Sequence, residues 1–564
     1  MASVPVTATA NTSQWESIAL RKRAERASKI PKEWLLPATI TDNPTASPAS
    51  LLQSCGLLSQ RESYLTDPDG HDAISLLQKL ANSEITSTEL VTAFCKRAAI
   101  AQQLSNCLTE ILFDEAIARA HDVDKHLQRT GQVLGPLHGL PVTFKDSFDI
   151  QGQDSSIGIM ALCYSPAQQN SLLYDILTGY GAIVIAKTTV PQTMLNADTD
   201  SIVFGRTVHP YNRLFGVAGS TGGEGALLAL GGSACGVGSD GAGSVRMPAA
   251  VNGVVGYKPS GYRLPLDGRG IMGTGVMGTT TLGPVSVAGF LTRSVRDARL
   301  FTKLAANAQP WQKDPCIYPH LWQSLPLPTV SHLRIGVWSS NNFLHLHPPV
   351  QRGFTIAQDR LRHAGVQLVD FPGPDISGVW ELQKEWTEIQ DLSYLRELLS
   401  MEPHTKIVKA TAIITKKTTP PPLTLPYLHS LNVRIRTLLR RMHDAWNSDG
   451  TPIDALLWVP APHTAVPFDQ YTYLGFTGLF NLIDWPAMAL PLGMSANRQL
   501  DTKTPVTPFN DLDAEVQEIY HADSFHGLPL SVQLIGRRFE DEKLLAVSQV
   551  VHDIIRPTGL PLKL

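Results

Sequence analysis

Two glycine-rich segments carry reactive side chains at close spacing. Residues 216–225 read GVAGSTGGEG and include Ser220. Residues 236–250 read GVGSDGAGSVRMPAA and hold four side chains that could act on a ligand: Ser239, Asp240, Ser244 and Arg246. Glycine lets the backbone approach an anion closely, so that successive N–H groups can donate to it. The two segments therefore predict a site either for a bound phosphate or for an oxyanion formed during acyl transfer.

Phosphate binding is disfavoured by the details of the second segment. A P-loop needs a lysine directly after its glycines to meet the β- and γ-phosphates, and no Gly-Lys-Ser/Thr run occurs in this sequence. A dinucleotide-binding loop needs GxGxxG between a strand and a helix, and in GVGSDGAGS the Asp240 carboxylate would repel a phosphate. We therefore expect no nucleotide cofactor.

Acyl transfer instead requires a nucleophilic hydroxyl, a base, and amide donors for the oxyanion. His138 and His209 lie outside both glycine segments, and we expect them to make structural hydrogen bonds. A lysine can replace histidine as the base when burial lowers its pKa enough to leave it neutral. Lys145, at the end of the run LPVTFK, is the candidate base.

Three blocks of the sequence resemble the amidase signature family. They are LHGLPVTFKD at residues 137–146, GSTGGEGALLALGGSACGVGSDGAGSVRMPAAVNGVVGYKPS at 219–260, and GLPLSVQLIGRRFEDEKLL at 527–545. Further stretches, including FNLIDWPAMALPLG at 480–493, are similar to the fungal acetamidase-type branch. The resemblance spans nearly the whole chain. It implies an α/β amidase signature fold, in which helices cover both faces of a large mixed β-sheet.

The same resemblance implies a Ser-Ser-Lys triad. Ser244 matches the nucleophile, Ser220 the bridging serine and Lys145 the base, with a cis peptide bond between Gly219 and Ser220. Ser239, although adjacent to the loop, is not expected to supply the second hydroxyl. The oxyanion hole would be formed by four backbone N–H groups, those of Gly241, Ala242, Gly243 and Ser244.

Supporting and substrate-binding roles follow from the resemblance as well. Asp240 and Arg246 would fix the shape of the loop, and Thr221 keeps a hydroxyl where the family has serine. Met194 and Ser220 are the expected substrate contacts, and the aromatic run at 471–485 could contribute to the acyl pocket while mainly filling the core.

Two alanines depart from the family pattern. Ala218 and Ala242 stand where glycine is common in the family. An alanine at positive φ would be strained, since only glycine adopts that conformation freely. We therefore predict a φ below zero at Ala242.

The elements that would position these residues alternate between helix and strand. Apolar residues at helical spacing follow Ala73, and Thr86 with Glu89 forms a capping-box pattern that starts the second helix of this region. Apolar runs such as GAIVIAK, LRIGVW, IDALLWV and LPLSVQLIG predict buried strands, and a helix follows the last of them. The pattern is typical of an α/β fold with a mixed sheet.

The chain divides into an arm and one domain. Residues 1–72 form a polar N-terminal arm, with a helix predicted over 13–30 that lies on the protein surface. Residues 73–564 form a single amidase signature domain with a peripheral module at about 309–452, in which TTPPPLTLP at 418–426 should run extended.

Composition excludes several classes of protein. The 564 residues include 47 Lys and Arg against 50 Asp and Glu, a net charge of −3, so no nucleic-acid partner is expected. No window approaches the ~18 consecutive apolar residues of a membrane span, which favours a cytoplasmic protein. The C-terminal Leu562-Lys563-Leu564 is only a weak match to a peroxisomal signal. Six cysteines without a CxxC pair predict no metal site.

We therefore expect an amidohydrolase that needs no cofactor and converts a small-molecule carboxamide to a carboxylic acid and ammonia through an acyl-enzyme, with a homodimer allowed. Two alternatives stay open: an amidase of secondary metabolism that acts on a bulkier amide, and an amide or acyl transferase such as a glutamine amidotransferase subunit. A catalytically silent binding protein is disfavoured because all three triad positions are occupied.

Overall fold

The computed structural model describes residues 14–43, 45–267, 286–389, 393–400, 402, 424–448 and 450–556. The C-terminal tripeptide and residues 418–423 of the proline-rich stretch lie outside these ranges, so the expectations attached to them stay predictions.

Thirteen strands lie in the described part of the chain. Their bounds are β1 Leu108–Ile111, β2 Pro141–Lys145, β3 Ile183–Thr188, β4 Val208–His209, β5 Asn212–Gly216, β6 Cys235–Asp240, β7 Val255–Lys258, β8 Val287–Thr292, β9 Arg334–Val337, β10 Gln367–Asp370, β11 Ala455–Trp458, β12 Ala487–Ser495 and β13 Pro529–Ile535.

The α-helices surround these strands in sequence order. They are α1 Gln14–Ser28, α2 Ala38–Thr41, α3 Pro48–Ser54, α4 Gln60–Thr66, α5 Ala73–Ala81, α6 Ser87–Ser105, α7 Phe113–Thr130, α8 Leu172–Gly179, α9 Gly222–Ala229, α10 Arg246–Asn252, α11 Val295–Asn307, α12 Pro348–His363, α13 Val379–Glu388, α14 Ser393–Ser400, α15 Leu425–Trp446, α16 Gly475–Leu482, α17 Asp511–Glu518, α18 Ala522–Phe525 and α19 Asp541–Ile555.

Eleven of the described strands form one mixed sheet in the order β1-β3-β2-β6-β8-β7-β12-β13-β11-β9-β10. β2 pairs in parallel with both β3 and β6, whereas β6, β8, β7, β12 and β13 pair with one another antiparallel. The apolar runs predicted as strands, including IVIAK and LSVQLI, are buried along their whole length or nearly so, as central strands covered on two faces must be.

Helices cover both faces of this sheet, as expected. On β13, Ser531 Oγ donates to the Ala250 carbonyl of α10. The next residue towards the N-terminus, Leu530, packs against Gly353 of α12, where an added Cβ would lie 3.3 Å from its Cδ1. Neighbouring strand residues point to opposite faces. The helices α10 and α12 therefore lie on opposite sides, and the predicted α/β architecture is confirmed.

The capping-box pattern starts α6 but is only half formed. Thr86 Oγ1 accepts a hydrogen bond from the Glu89 N–H at 3.0 Å, as predicted. The Glu89 carboxylate turns away and accepts from Arg61 Nε of α4 at 2.7 Å. A tertiary ion pair therefore replaces the expected local bond.

The helix of the N-terminal arm is docked on the domain. The nearly buried Lys22 Nζ of α1 lies 2.6 Å from Glu110 Oε1 and 3.0 Å from Asp154 Oδ2, while Arg26 donates to the Leu108 carbonyl. At the other end of the sheet, the region 309–452 supplies β9 and β10, the last two strands. None of the described helices is both long enough and apolar enough to cross a membrane.

Candidate active site

The predicted triad lies where parallel strands of the sheet end. Lys145 is the last residue of β2 and Asp240 the last of β6, and because these strands are parallel their carboxyl ends meet at one edge. Ser220 directly precedes α9, and Ser244 lies between β6 and α10. This edge of a sheet is where open α/β folds place their ligand sites.

Lys145 contacts two hydroxyls. Its Nζ lies 2.7 Å from Ser220 Oγ, the predicted partner, and 2.8 Å from Ser239 Oγ. The Lys145 and Ser220 side chains are buried. Ser239 was not expected to take part, and its contact with the amine extends the cluster by a second hydroxyl. The signal for it was its place in β6, two pairs along the chain from a strand neighbour of Lys145.

Burial lowers the pKa of Lys145 to about 7, against the opposing attraction of the Asp240 and Glu224 carboxylates. The amine is fully inaccessible to water, and the cost of desolvating its charged form exceeds what these carboxylates return. A substantial fraction of Lys145 is therefore neutral at physiological pH, as a base requires.

The two serine segments are joined through their backbones. The Thr221 N–H donates to the Ser244 carbonyl at 3.1 Å, and Thr221 Oγ1 donates to the Ser239 carbonyl at 3.2 Å. The peptide bond between Gly219 and Ser220 is cis, as the resemblance implied. Ser244 is half-buried, and no hydrogen bond joins its Oγ to Ser220 Oγ in the described part of the chain.

Asp240 and Arg246 form the ion pair expected of supporting residues. Both are fully buried, with Arg246 Nη2 2.9 Å from Asp240 Oδ1, and Asn481 of α16 donates to the same carboxylate at 3.1 Å. Burial by itself would raise the pKa of the Asp240 carboxyl, but the adjacent guanidinium holds that pKa well below its usual range. The carboxylate therefore stays charged and also binds the Val245 and Arg246 N–H groups, which fixes the loop.

The predicted four-amide oxyanion hole needs a correction at Gly243. The Gly243 N–H donates to Asp240 Oδ1 at 2.8 Å and is therefore occupied. The N–H groups of Gly241, Ala242 and Ser244 donate to none of the described residues. Three amides, not four, are left to bind an oxyanion in this conformation, because the carboxylate that shapes the loop takes the fourth.

Backbone strain falls at Ala218 instead of Ala242. Ala242 is absent from the described non-glycine residues with positive φ, which confirms the prediction made for it, and it precedes Gly243 at φ 123°. Ala218 has φ 57°, a conformation that costs a non-glycine residue about 1 kcal/mol. Its carbonyl accepts from Thr199 Oγ1 at 2.7 Å, which holds the residue before the cis bond in place.

Glu224 is a buried carboxyl that the sequence did not single out. It lies one turn after Ser220 and accepts from Thr143 Oγ1 at 2.6 Å and Thr188 Oγ1 at 3.0 Å. Thr143 is two residues before Lys145 on β2, so both side chains point to the same face. Burial raises the pKa of Glu224 to about 8. The glutamate thus ties the start of α9 to the strand that carries the lysine.

The expected substrate contacts lie in the protein interior. Met194 is 8% exposed and packs in a small apolar cluster, whose buried members are Ile157, Ile159, Leu162, Val190, Met194, Leu395 and Leu399. In the aromatic run 471–485, Tyr473, Phe476 and Trp485 are buried in the large core, which agrees with a packing role. A contact between Met194 and a substrate stays a prediction.

The two histidines have structural roles, as expected. His209 Nε2 lies 2.9 Å from the Val251 carbonyl, and burial lowers its pKa to about 4. His138 Nδ1 accepts from the Leu134 N–H at 2.9 Å. Among the described residues, no group of three or more His, Cys, Asp or Glu side chains is arranged to hold a metal ion.

Comparison with known proteins agrees with this geometry. Residues 89–545 match the family described as Amidase. An amidase of Gibberella moniliformis is 35% identical over 554 residues, covering 96% of this chain and 99% of its own length. An acetamidase of Emericella nidulans is 34% identical over 570 residues, with 96% and 98% coverage.

A solved structure shows the same fold nearly end to end. A fatty acid amide hydrolase matches with a TM-score of 0.90 and 27% identity, covering 97% of this chain and 96% of that one. The family match and the full-length relatives together show that the chain belongs to the amidase family, whose members hydrolyse amides.

Proposed function

We propose that the chain hydrolyses a small carboxamide to a carboxylic acid and ammonia through Ser244, Ser220 and Lys145. One observation carries the proposal: the buried Lys145 amine lies 2.7 Å from Ser220 Oγ and has a pKa lowered to about 7. A neutral amine at hydrogen-bond distance from a hydroxyl can accept its proton. The cluster therefore contains an activated hydroxyl next to a glycine loop.

The proposed reaction begins with a proton relay. Ser220 passes its proton to Lys145 and takes the proton of Ser244, whose Oγ attacks the amide carbon. The carbonyl oxygen becomes an oxyanion, held by the amides of Gly241, Ala242 and Ser244. Because Ser244 Oγ and Ser220 Oγ are not yet hydrogen-bonded, we expect this contact to tighten when substrate binds.

Collapse of the tetrahedral intermediate breaks the carbon–nitrogen bond. The proton on Lys145 returns through Ser220 to the leaving nitrogen, ammonia departs, and the acyl group stays on Ser244 as an ester. Water then adds to the ester carbonyl, gives up a proton through the same relay, and releases the carboxylic acid and the free serine. Atoms and charges balance over the cycle, and both halves use the same oxyanion site.

Relatives support a small substrate and a self-contained enzyme. The protein named acetamidase aligns with 96% of the chain, which favours a short acyl group. The structural match to a fatty acid amide hydrolase makes a bulkier amide the second candidate. Transfer to an amine, as in a glutamine amidotransferase subunit, is the third. A cytoplasmic location and a homodimer stay predictions from the sequence.

Ammonia release across formamide, acetamide, propionamide, benzamide and longer amides tests the proposal. We expect the wild-type protein to release ammonia from at least one of them and the Ser244→Ala variant to lose this activity by on the order of 10⁴-fold. A fluorophosphonate should label Ser244 covalently, as located by peptide mass spectrometry.

The exposed Ser28 provides the matched control, because its hydroxyl contacts only the Glu25 carbonyl of its own helix. The Ser28→Ala variant should keep full activity and labelling. Full activity in the Ser244→Ala variant, or labelling at another serine, would rule out Ser244 as the nucleophile.

A further inference from the structure

The region 309–452, expected to be peripheral, reaches the oxyanion loop through α13. Gln383 of this helix is 7% exposed, and its Nε2 donates to the Gly241 carbonyl at 3.1 Å. A second side chain, Thr477 of α16, donates through Oγ1 to the Ala242 carbonyl at 2.7 Å. Two consecutive carbonyls of the loop are therefore held from outside it.

The two peptide units are held in different ways. A carbonyl and the N–H of the following residue belong to one planar trans peptide and point in opposite directions, so that fixing one fixes the other. The peptide from Ala242 to Gly243 is held at both ends, by Thr477 and by the Asp240 carboxylate. The peptide from Gly241 to Ala242 is held only at its carbonyl, by Gln383. Its N–H stays available to a ligand.

Local packing leaves space for this glutamine. α13 packs against α16, and at Gly478 of α16 an added Cβ would lie 3.0 Å from Gln383 Oε1. A larger residue at position 478 would therefore press on the side-chain amide. Because the Gly241 carbonyl can only accept a hydrogen bond, the Nε2 end of the amide must face the loop. The orientation of Gln383 is thus fixed by both of its neighbours.

We propose that Gln383 is a positioning residue for the oxyanion hole: by holding the Gly241 carbonyl, it aims the Ala242 N–H at the oxyanion formed when Ser244 attacks. This inference rests on the proposed function. Removing an oxyanion donor outright typically costs on the order of 10²- to 10³-fold in kcat. Releasing the peptide that carries the donor, which can still sample the correct orientation, should cost less, about 10- to 100-fold.

The test compares Gln383→Leu with Lys384→Gln, the next position on the same helix, where the side chain contacts Glu381 and Trp380 and not the loop. With the best amide from the panel, Gln383→Leu should lower kcat about 10- to 100-fold and change KM less than about threefold. Affinity for a boronic acid with the same acyl group, which forms a tetrahedral adduct, should fall in proportion to kcat. The Lys384→Gln variant should match the wild type in all three.

A uniform loss would contradict the proposal. If Gln383→Leu lowered substrate affinity and boronic acid affinity equally, or lost activity only in proportion to an unfolded fraction seen by circular dichroism, its role would be structural. An unchanged kcat would also overturn the inference.

Fluorophosphonate labelling separates this inference from the proposed function, because it needs no known substrate. The phosphoryl oxygen of the reagent occupies the oxyanion site, so labelling of Ser244 in Gln383→Leu should slow about 10- to 100-fold. Labelling of Ser244 at an unchanged rate would reject the role of Gln383 alone. Failure of the wild-type protein to be labelled at Ser244 would reject both.

Discussion

Lys145 and Lys187 are both fully buried on adjacent parallel strands, yet their surroundings differ. In the β2–β3 register, Lys145 pairs with Thr188 and Phe144 with Lys187, so that the two amines lie on opposite faces of the sheet. Lys145 faces the hydroxyls of Ser220 and Ser239. Lys187 faces the Asp154 carbonyl at 2.6 Å, Ser155 Oγ at 2.8 Å and the Asp146 carboxylate at 4.0 Å.

Burial lowers the pKa of both lysines, but the opposing charges are not alike. At Lys187 four carboxylates raise the pKa: those of Asp146, Glu110, Asp149 and Asp154. At Lys145 two carboxylates do so, of which Asp240 is paired with Arg246 and Glu224 has a raised pKa. Desolvation is therefore common to both sites. A base results where hydroxyls replace carboxylates around the amine.

The largest effect is expected from Lys145→Met. The variant loses the proton acceptor of the relay, and general base catalysis supplies up to about 10⁴-fold, or about 5.5 kcal/mol of the barrier. We expect kcat/KM to fall by on the order of 10⁴-fold. Because the methionine fills the same space without a buried amine, the free energy of unfolding measured in urea should not fall. Activity within tenfold of the wild type would show that Lys145 is not the base.

The positions of the triad could be predicted from the sequence because each residue is fixed by its neighbours along the chain. Lys145 ends an apolar strand, and both serines follow glycines at the ends of elements. The strand runs likewise predict the α/β fold, since continuous apolar runs are typical of central strands. Local sequence thus determines what each position offers.

Contacts between distant segments could not be predicted in this way. Gln383 is 142 residues from the Gly241 carbonyl that it holds. The Gly243 amide is taken by Asp240 only in the folded turn. The positive φ at Ala218 follows from how Thr199 and the cis bond hold that segment. These features depend on tertiary packing, which no local pattern records.

The second effect, on stability, is expected from Lys187→Met. Removing one partner of a buried ion pair leaves the other charge uncompensated, typically at 3 to 5 kcal/mol. We expect a loss of about 3 kcal/mol in the free energy of unfolding, since Asp146 keeps hydrogen bonds from Thr109 Oγ1 and the Ile157 N–H, each at 2.7 Å. The folded variant should keep kcat within about threefold of the wild type.

A second substitution sharpens this result. Adding Asp146→Asn to Lys187→Met removes the uncompensated charge, and part of the lost stability in urea unfolding should return. If Lys187→Met abolished kcat while the protein stayed folded, the distinction between a structural and a catalytic lysine would fail.

The smallest effect concerns the acid limb of the pH profile. Only neutral Lys145 can accept a proton, and its pKa is lowered to about 7, so kcat/KM should rise with pH through a limb near pH 7. The Glu224 carboxylate raises the pKa of Lys145, and Glu224→Gln should therefore move the limb to lower pH. The shift should be only a few tenths of a pH unit, because burial raises the pKa of Glu224 to about 8 and it is mostly uncharged at the limb.

Profiles of kcat/KM from pH 5 to 9 for the wild type, Glu224→Gln and Lys187→Met measure this shift. Glu224 lies on the face of the sheet that carries Lys145, through Thr143 and Thr188, whereas Lys187 lies on the other. The limb should therefore move in Glu224→Gln and stay in place in Lys187→Met. A larger displacement in Lys187→Met would mean that the sheet does not separate the two amines electrostatically, and that the carboxylates around Lys187 help to set the basicity of Lys145.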